Sequence, residues 1–310
     1  MTRYNGLFAF AVGGGLLLAS TAYAGPTVTA AVTTTETVQA AIQYPGRPPN
    51  DRDADATLKP SETIPFLGLK PGQIVTDFIP GSGYYTRIFS RVVGPKGHVY
   101  SFVPVLGELM SERRQQMQDT KAGANPPLIP IDIILGIENI FEYSQNVSAL
   151  WAQLTQYGGQ FPLPVQTDAV WNFGSYHELH TPKFPTMKVD AVDKAIFRAM
   201  KPGGVFVIAD NAAAKGDGFS KAQSLERSES DTVKAELLSA GFLFDGENKA
   251  LANAADDHTK KASDPSLQGK PDRFMMRFKK PMSATGDKRP PASEMKNYYG
   301  NTYVYNLGEK

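Results

Sequence analysis

The sequence predicts an α/β protein built on a doubly wound, mostly parallel sheet of seven strands. Apolar segments of strand length alternate with segments of helical periodicity, which is typical of a parallel sheet with helices on both faces. An early strand runs through a glycine-rich loop into a helix, and Val205–Ala209 is a continuous apolar run suited to the centre of such a sheet. The 310 residues, 41% of them hydrophobic, suffice for one domain of this kind with additional terminal segments.

The strand–loop–helix unit begins with the short apolar strand Ile74–Phe78, which enters the loop Pro80–Gly83. Apolar side chains then recur at helical spacing, at Tyr85, Ile88, Phe89 and Val92. A Gly-Pro-Lys-Gly turn ends this helix, and His98–Phe102 forms the next strand. The whole unit takes about 30 residues, the length of a crossover that joins two parallel strands.

Later segments supply the remaining elements of the predicted sheet. Besides Val205–Ala209, strands are expected at Ile140–Tyr143, Ala169–Phe173, Phe242–Phe244 and Phe274–Phe278. One helix carries an apolar stripe that includes Val192 and Ile196. A second helix is expected to be capped by Ser230 or Asp231 and to end at Gly241.

The N-terminal residues 1–24 are predicted to be a secretory signal peptide. Arg3 supplies a positive charge, an apolar stretch follows, and Ala22-Tyr23-Ala24 matches a cleavage signal before Gly25. We therefore expect a periplasmic or secreted mature protein.

Three further segments are expected after the cleavage signal. Residues 25–50, rich in Thr, Ala, Val and Pro, are interpreted as a linker. Residues 51–281 form the α/β domain, and residues 282–310, which mix Pro, Lys, Gly and Tyr without periodicity, form a C-terminal tail. This Tyr-rich tail is expected to pack on the domain, on a protein partner or on a second subunit.

Composition excludes several classes of site and partner. The chain has no cysteine, which excludes disulfides, thiolate zinc sites, iron–sulfur clusters and a cysteine nucleophile. Without Arg3 the mature chain carries 31 basic and 31 acidic residues, so nucleic acid and anionic membranes are not expected as partners. No apolar run outside the N-terminus approaches the roughly 20 residues of a membrane span, so none is expected in the mature protein.

The loop after the first strand is the first candidate site. Asp77 lies near the end of the strand, and Gly81 and Gly83 allow a ligand to approach the backbone closely, with a helix N-terminus behind them. The spacing excludes a dinucleotide fingerprint, which has a third glycine, and a P-loop, which continues with Gly-Lys-Ser/Thr. A tight turn with a purely structural role is the alternative interpretation.

A second cluster, Trp171–His180, follows the fourth expected strand. Its polar groups should face the same crevice as the glycine loop, because ligands of open α/β sheets bind outside the carboxyl ends of the strands. The adjacent pair His177 and Glu178 is the best candidate for a general base near neutral pH, and loop hydrogen bonding without catalysis is the alternative. The spacing of His177 and His180 suits a metal, but no third ligand is evident, so no metal is predicted.

Two further polar pairs follow the strand Val205–Ala209. Asp210 and Asn211 come directly after it, again at a carboxyl end, and are interpreted either as ligand contacts or as capping and turn residues. Glu226 and Arg227 lie in a polar stretch before the next helix and are interpreted as a solvated face or as a lid over the crevice.

Three stretches together resemble the class I S-adenosylmethionine-dependent methyltransferases, namely Asp77–Thr86, Trp171–His180 and Ala199–Asp210. More narrowly, they are similar to a bacterial group of predicted, often exported members. In that group a Pro-Gly-x-Gly-Tyr-Tyr-Thr loop, a Tyr-His-Asp motif, an Asp-His pair after the fifth strand and a closing Asp-Arg-Phe strand recur. The corresponding residues here are Pro80–Thr86, Tyr176-His177-Glu178, Asp210-Asn211 and Asp272-Arg273-Phe274. The resemblance covers residues 51–281 and implies a Rossmann-like sheet of methyltransferase type.

The resemblance also implies S-adenosylmethionine as the cofactor and a small or exported molecule as the methyl acceptor. The residues that would bind the cofactor are Asp77, Pro80, Gly81, Ser82, Gly83, Tyr84, Thr86, Asn172, Phe173, Asp210 and Asn211. Catalysis is expected from His177 or Glu178 as the base that deprotonates the acceptor, with Tyr176 beside them.

Three positions depart from the family pattern. Ile79 stands where the loop usually has its first glycine, and His98–Pro104 contains no acid that could hold the ribose hydroxyls. Asn211 replaces a possible base with a group that takes no proton at neutral pH. The alternative function is a non-catalytic or repurposed protein of the same fold that binds another ligand or a protein partner. No G-x-S-x-G nucleophile elbow favours a hydrolase.

Overall fold

The computed structural model describes residues 34–104, 145–152, 161, 163–182 and 188–283. The predicted signal peptide, the expected strand Ile140–Tyr143 and all but the first two residues of the C-terminal tail lie outside this described part. No helix within the described ranges is both long and apolar enough to cross a lipid bilayer.

A seven-stranded sheet forms the centre of the described part. Its strands are β1 Ile74–Phe78, β2 His98–Pro104, β3 Val147–Ala152, β4 Thr167–Phe173, β5 Met200–Asn211, β6 Leu243–Glu247 and β7 Arg273–Lys279. The spatial order is β3-β2-β1-β4-β5-β7-β6. Strands β1 to β5 run parallel, and β7 is antiparallel to both β5 and β6. The predicted mostly parallel sheet of Rossmann-like methyltransferase type is confirmed.

Helices flank this sheet. Within the described ranges the α-helices are α1 Thr34–Ile42, α2 Pro49–Leu58, α3 Pro60–Leu67, α4 Tyr84–Val93, α5 Val189–Ala199, α6 Ala222–Leu225 and α7 Ser230–Ser239. Short 3₁₀ turns occupy Tyr176–His180 and Pro265–Leu267.

Hydrophobic cores cover both faces of the sheet. Helices α1, α3 and α4 pack on one face, where Val38 and Phe89 are buried. Helices α5 and α7 pack on the other face, where Ile196 and Leu237 are buried. Because both faces are covered, the central strands bury both alternating sets of side chains, which explains the apolar run Val205–Ala209.

The first helix corrects the expectation of a linker over residues 25–50 for the described part of that range, residues 34–50. Helix α1 and the start of α2 lie inside this range, and Val38, Ala41 and Ile42 belong to the core. These three side chains lie at i, i+3 and i+4, which is the spacing of an apolar helix face. The Thr- and Ala-rich composition hides this short pattern.

One strand was not expected from the sequence, and one local expectation differs from the structure. The strand beside β2 lies at Val147–Ala152, where buried polar residues such as Ser148 obscure the strand pattern. Glu229 occupies the N-cap position of α7, so neither Ser230 nor Asp231 caps that helix. Asp231 instead lies in the first turn, where its negative charge suits the helix dipole.

Candidate functional site

The carboxyl ends of β1, β4 and β5 meet at one edge of the sheet. Asp77 in β1 pairs with Trp171 in β4, and Phe173 in β4 pairs with Ala209 in β5. Neighbouring strands lie about 4.8 Å apart, so the glycine loop, the turn after β4 and the end of β5 share one crevice.

The loop after β1 repeatedly adopts the left-handed backbone conformation. The φ angles are +58° at Ile79, +57° at Gly81 and +77° at Gly83, and the Gly83 N–H closes the turn on the Pro80 carbonyl at 2.9 Å. A β-branched residue is strained in this region, at a cost of about 1–3 kcal/mol, whereas glycine is not. Ile79 therefore keeps the conformation that a glycine would supply at this position.

The loop and the turn after β4 both face open space. A Cβ atom added at Gly81, or at Gly174 with φ +67°, would meet no heavy atom of the described residues within 4 Å. The first intrahelical hydrogen bond recorded for α4 runs from the Arg87 N–H to the Gly83 carbonyl, so the loop leads directly into a helix N-terminus. An anionic group of a ligand is favoured at such a position.

Asp77 and Thr86, both predicted cofactor contacts, lie beneath the loop. Asp77 is 2% exposed, and its Oδ2 accepts a hydrogen bond of 2.6 Å from Thr86 Oγ1, which also lies 2.8 Å from Ser101 Oγ of β2. Burial raises the pKa of Asp77 to about 7, and the hydrogen bonds from Thr86 and the charge of Arg87 only partly offset this effect. The two residues therefore link β1, β2 and α4 and hold the loop from below.

The loop is also tied to helix α2, through contacts that sequence reasoning missed. Arg87 donates to both carboxylate oxygens of Asp51 at 2.6 Å and to the Ser82 carbonyl at 3.0 Å. Tyr84 donates its hydroxyl proton to Asp55 Oδ1 at 2.5 Å. The available signal was the i, i+4 spacing of Asp51 and Asp55, which places both acids on one helix face.

His177 and Asp210 form a buried pair at the ends of β4 and β5. His177 Nδ1 lies 2.8 Å from Asp210 Oδ1, and the His177 backbone N–H donates to Asp210 Oδ2 at 2.8 Å. The Asn211 N–H and the Ser228 hydroxyl also donate to this carboxylate. Asp210, predicted as a cofactor contact, thus uses both oxygens within the protein and orients the imidazole.

This pair sets the protonation of His177. Burial lowers the pKa of His177, but the charge and hydrogen bond of Asp210, with Glu178 and Glu226 nearby, outweigh burial and raise it above its ordinary value. When Asp210 accepts the Nδ1 proton, Nε2 has no hydrogen-bond partner in the described chain and is available to accept a proton. The pair is therefore a candidate general base.

Tyr176 lies in a different environment from its neighbour His177. It is fully buried, and its hydroxyl oxygen lies 2.9 Å from Asp193 Oδ2 and 2.9 Å from Glu236 Oε2. A hydroxyl donates only one proton, and burial raises the pKa of Asp193 to about 8. Tyr176 thus belongs to a polar network between α5 and α7, whereas Glu178 stays partly exposed.

Asn172 and Phe173, also predicted as cofactor contacts, end strand β4. Asn172 is fully buried, and its Nδ2 donates to the Phe78 carbonyl at 3.0 Å and to the Ser175 hydroxyl at 2.9 Å. Its Oδ1 has no hydrogen-bond partner among the described residues. The Phe173 ring centre lies 4.8 Å from that of Tyr85, so the end of β4 carries an aromatic pair on one face, and the buried, unpartnered Asn172 Oδ1 lies on the other.

Asn211 and Arg227 have structural partners behind the end of β5. Asn211 Nδ2 donates to the Glu226 carbonyl at 3.0 Å, and its Oδ1 accepts from Arg273 Nε at 3.1 Å. Arg227 is neither a solvated face nor a lid, because it is fully buried and donates to both oxygens of Asp256 at 2.9 and 3.0 Å. Arg227 and Asp256 are 29 positions apart, so no local pattern in the sequence reveals this ion pair.

His180 contacts Glu236 and not Asp210, the carboxylate that His177 contacts. Its Nε2 lies 3.1 Å from Glu236 Oε2, and its ring stacks on Phe219 with centres 3.3 Å apart. In the part of the chain that the structure describes, no group of three His, Asp or Glu side chains could hold a metal ion.

No protein-family model matches the chain. Over 162 residues it is 28% identical to the ubiquinone/menaquinone biosynthesis C-methyltransferase UbiE of Vibrio vulnificus. The aligned region covers 51% of this chain and 49% of the relative. Over 149 residues it is 26% identical to UbiE of Vibrio cholerae, covering 47% of this chain and 44% of the relative. The chain thus spans about half the length of the curated relatives it matches.

Solved structures provide further similarities. An S-adenosylmethionine-dependent methyltransferase from Aquifex aeolicus is 19% identical, with 75% of this chain and 98% of that chain covered and a TM-score of 0.43. An arsenic(III) S-adenosylmethionine methyltransferase from Chlamydomonas reinhardtii is 14% identical, with 81% and 76% covered and a TM-score of 0.45. The strand order of the sheet is that of a Rossmann-like methyltransferase fold, and about half of the chain is similar in sequence to UbiE.

Proposed function

We propose that this protein is an S-adenosylmethionine-dependent methyltransferase that acts on a small acceptor. The observation that carries the proposal is the open, left-handed loop Ile79–Gly83 at the same sheet edge as the His177–Asp210 pair. The similarity of half the chain to UbiE, a C-methyltransferase, supports the same conclusion.

The residues around the loop fit the methionine end of S-adenosylmethionine, which carries an ammonium and a carboxylate group. The Oδ1 atom of Asn172, unpartnered among the described residues, can accept a hydrogen bond from the ammonium group. The N-terminus of α4 favours the carboxylate, and Gly81 and Gly174 leave room for close approach. Strand residues His98–Pro104 include no acid, so they offer the ribose hydroxyls only neutral oxygens.

When bound, S-adenosylmethionine supplies a methyl group on a sulfonium, and its transfer is an in-line displacement that depends on alignment. The residues of this chain align the reactants and remove a proton from the acceptor. His177 Nε2 accepts that proton, because Asp210 holds the Nδ1 proton and stabilises the imidazolium that forms. Activity should therefore rise with pH through the pKa of His177, which lies above its ordinary value.

Calorimetric titration with S-adenosylmethionine and S-adenosylhomocysteine tests the proposal. The variants are Gly81→Ala and, as a matched control, Gly68→Ala. Both glycines have positive φ and open space around the added Cβ, so both variants carry a similar backbone strain of about 1 kcal/mol. Only Gly81 lies in the loop.

Wild-type protein and the Gly68→Ala variant should bind both ligands, and Gly81→Ala should bind them at least roughly tenfold more weakly. Lack of binding to the wild type at millimolar ligand contradicts the proposal. Unchanged binding by Gly81→Ala places the cofactor elsewhere.

We also propose that the chain is exported to the periplasm or beyond. The supporting pattern is Arg3, the apolar stretch Leu7–Leu18 and the cleavage signal Ala22-Tyr23-Ala24. Cell fractionation and N-terminal sequencing should yield a processed protein that begins at Gly25. Unprocessed protein confined to the cytosolic fraction contradicts this proposal.

A further inference from the structure

Arg273 lies at the carboxyl edge of the sheet, opposite the end of β5. It is the first residue of the antiparallel strand β7 and pairs in register with Asn211. Its Nε donates to Asn211 Oδ1 at 3.1 Å, and its guanidinium carbon lies 5.5 Å from the centre of the Phe173 ring. The side chain therefore reaches from β7 toward the end of β4.

The charge of Arg273 has no carboxylate partner within the described residues, although the side chain is partly buried. The neighbouring Asp272 is hydrogen-bonded to His258. Both carboxylate oxygens of Asp210 accept hydrogen bonds from residues other than Arg273. Burial lowers the pKa of Arg273, and the attraction of Tyr85 and Asp210 does not offset it. Arg273 thus loses contact with water without gaining an ion pair.

The arginines that are buried in the described chain are paired. Arg47, Arg87 and Arg227 each donate to a carboxylate, with nitrogen–oxygen distances of 2.7, 2.6 and 2.9 Å. A guanidinium has five N–H donors, and Arg273 uses only the one on Nε within the described residues. Its two terminal nitrogens remain for a ligand.

We propose that Arg273 binds a carboxylate group of the methyl acceptor. A guanidinium presents parallel N–H donors that match the two oxygens of a carboxylate. Phe173 offers an apolar ring beside it for the carbon skeleton of the same molecule. That the ligand is the methyl acceptor rests on the proposed function, whereas the carboxylate site itself does not.

The position of Arg273 favours the acceptor over the cofactor. Strand β7 is separated from β1 by β4 and β5, so at a strand spacing of about 4.8 Å the two lie roughly 14 Å apart. The glycine loop follows β1, and the His177–Asp210 pair lies between the two positions, at the ends of β4 and β5. A molecule held by Arg273 therefore reaches the ends of β4 and β5 from the side away from the loop. An in-line displacement needs the acceptor to lie opposite the sulfur across the methyl group.

Calorimetric titration with benzoate and benzamide, two probes of similar shape of which only benzoate is charged, tests the proposal. The full chain is titrated with and without saturating S-adenosylhomocysteine. The variants are Arg273→Gln, Arg273→Lys and Lys279→Gln, the last of which removes an exposed positive charge from the same strand. Thermal unfolding checks that each variant is folded.

Benzoate should bind the wild type and Lys279→Gln equally, Arg273→Lys more weakly, and Arg273→Gln at least roughly tenfold more weakly. Benzamide should bind the wild type at least roughly tenfold more weakly than benzoate, because the charged donors then lack their partner. If Arg273→Gln does not fold, Arg273→Lys decides by the same comparison.

Equal binding of benzoate to the wild type and a folded Arg273 variant overturns the proposal, as does equal binding of benzoate and benzamide. A roughly tenfold loss of S-adenosylhomocysteine affinity in Arg273→Gln also overturns it, because it assigns the guanidinium to the cofactor. Arg273-dependent benzoate binding by a protein that binds no S-adenosylhomocysteine keeps the carboxylate site and removes the methyltransferase proposal.

Discussion

The two sides of the crevice differ in which charged side chains are bonded to other residues of the protein. On the β1 side, Asp77, Thr86 and Arg87 are bonded to other residues, and Arg87 uses Nε and both terminal nitrogens. On the β5 side, within the described chain, His177 Nε2 has no hydrogen-bond partner and Arg273 uses only Nε. The β1 side therefore holds a backbone loop in place beside the unpartnered acceptor Asn172 Oδ1, whereas the β5 side keeps a base and a guanidinium available for a ligand.

The largest expected effect is the difference between one substitution made on the two sides. Arg87→Gln leaves the buried carboxylate of Asp51 without its partner and should lower the free energy of unfolding by about 3–5 kcal/mol. Arg273→Gln removes a charge that has no carboxylate partner in the described chain, and it should change the free energy of unfolding by about 1 kcal/mol or less. Urea denaturation measures both values, and equal losses would break the comparison.

The buried carboxyl group of Asp77 makes the β1 side sensitive to pH. Its pKa of about 7 in the folded protein exceeds the ordinary value of 3.8, so the folded state holds a proton that the unfolded chain releases. The contribution of Asp77 to the free energy of unfolding should therefore fall as pH rises from about 4 to about 7, by an amount on the order of a few kcal/mol.

The substitution Asp77→Asn should flatten this dependence and make the variant more stable than the wild type at about pH 8. Denaturation at several pH values checks both statements. A wild-type stability that rises over the same interval, with no difference in Asp77→Asn, contradicts the account of Asp77.

Removal of Asp210, the partner of His177, tests how the β5 side sets the pKa of this histidine. Asp210→Asn should lower the pKa of His177, because burial then acts without its main opposing charge. In the wild type the raised pKa contributes stability that is complete below the ordinary value and is lost as pH rises through the folded value.

Nuclear magnetic resonance titration of the imidazole signals measures this change. His258, which pairs with Asp272 rather than Asp210, serves as the control in the same spectra. An unchanged His177 titration in Asp210→Asn would show that the carboxylate does not set its protonation.

The smallest expected effect concerns the strained residue Ile79. Glycine should be more stable than alanine at this position by about 1 kcal/mol, because alanine keeps the left-handed strain. At Ile88, inside helix α4, the order should be the opposite by a similar amount. Urea denaturation of the four variants tests the reversal, and alanine more stable than glycine at both positions would remove the strain argument.

Local pattern predicted most of the fold and little of the partner network. Strands such as β1 and β5 were predictable, because their apolar runs are bounded by turn residues. The ion pairs Arg87–Asp51 and Arg227–Asp256 join residues 36 and 29 positions apart, and a single sequence carries no signal for such distances. Helix α1 was missed because its apolar face is only three residues long.

The sequence predicted where in the fold the candidate site lies, but not which of its side chains contact each other. Strand order brings His177 and Asp210 to one sheet edge, but only the structure shows that they bond to each other. Tyr176 lies next to His177 in sequence and yet turns into the core, because side-chain direction in a 3₁₀ turn depends on packing. Arg273 stood in a recognised motif, but its missing carboxylate partner is a three-dimensional property.

A crystal structure of the protein with S-adenosylhomocysteine tests the central claim most directly. We predict that the homocysteine end lies on the backbone of Gly81–Gly83, with its amino group at Asn172 Oδ1, and that Arg273 makes no contact with it. Absence of the ligand from this loop, or a homocysteine carboxylate bound to Arg273, would contradict the division of the crevice into a cofactor side and an acceptor side.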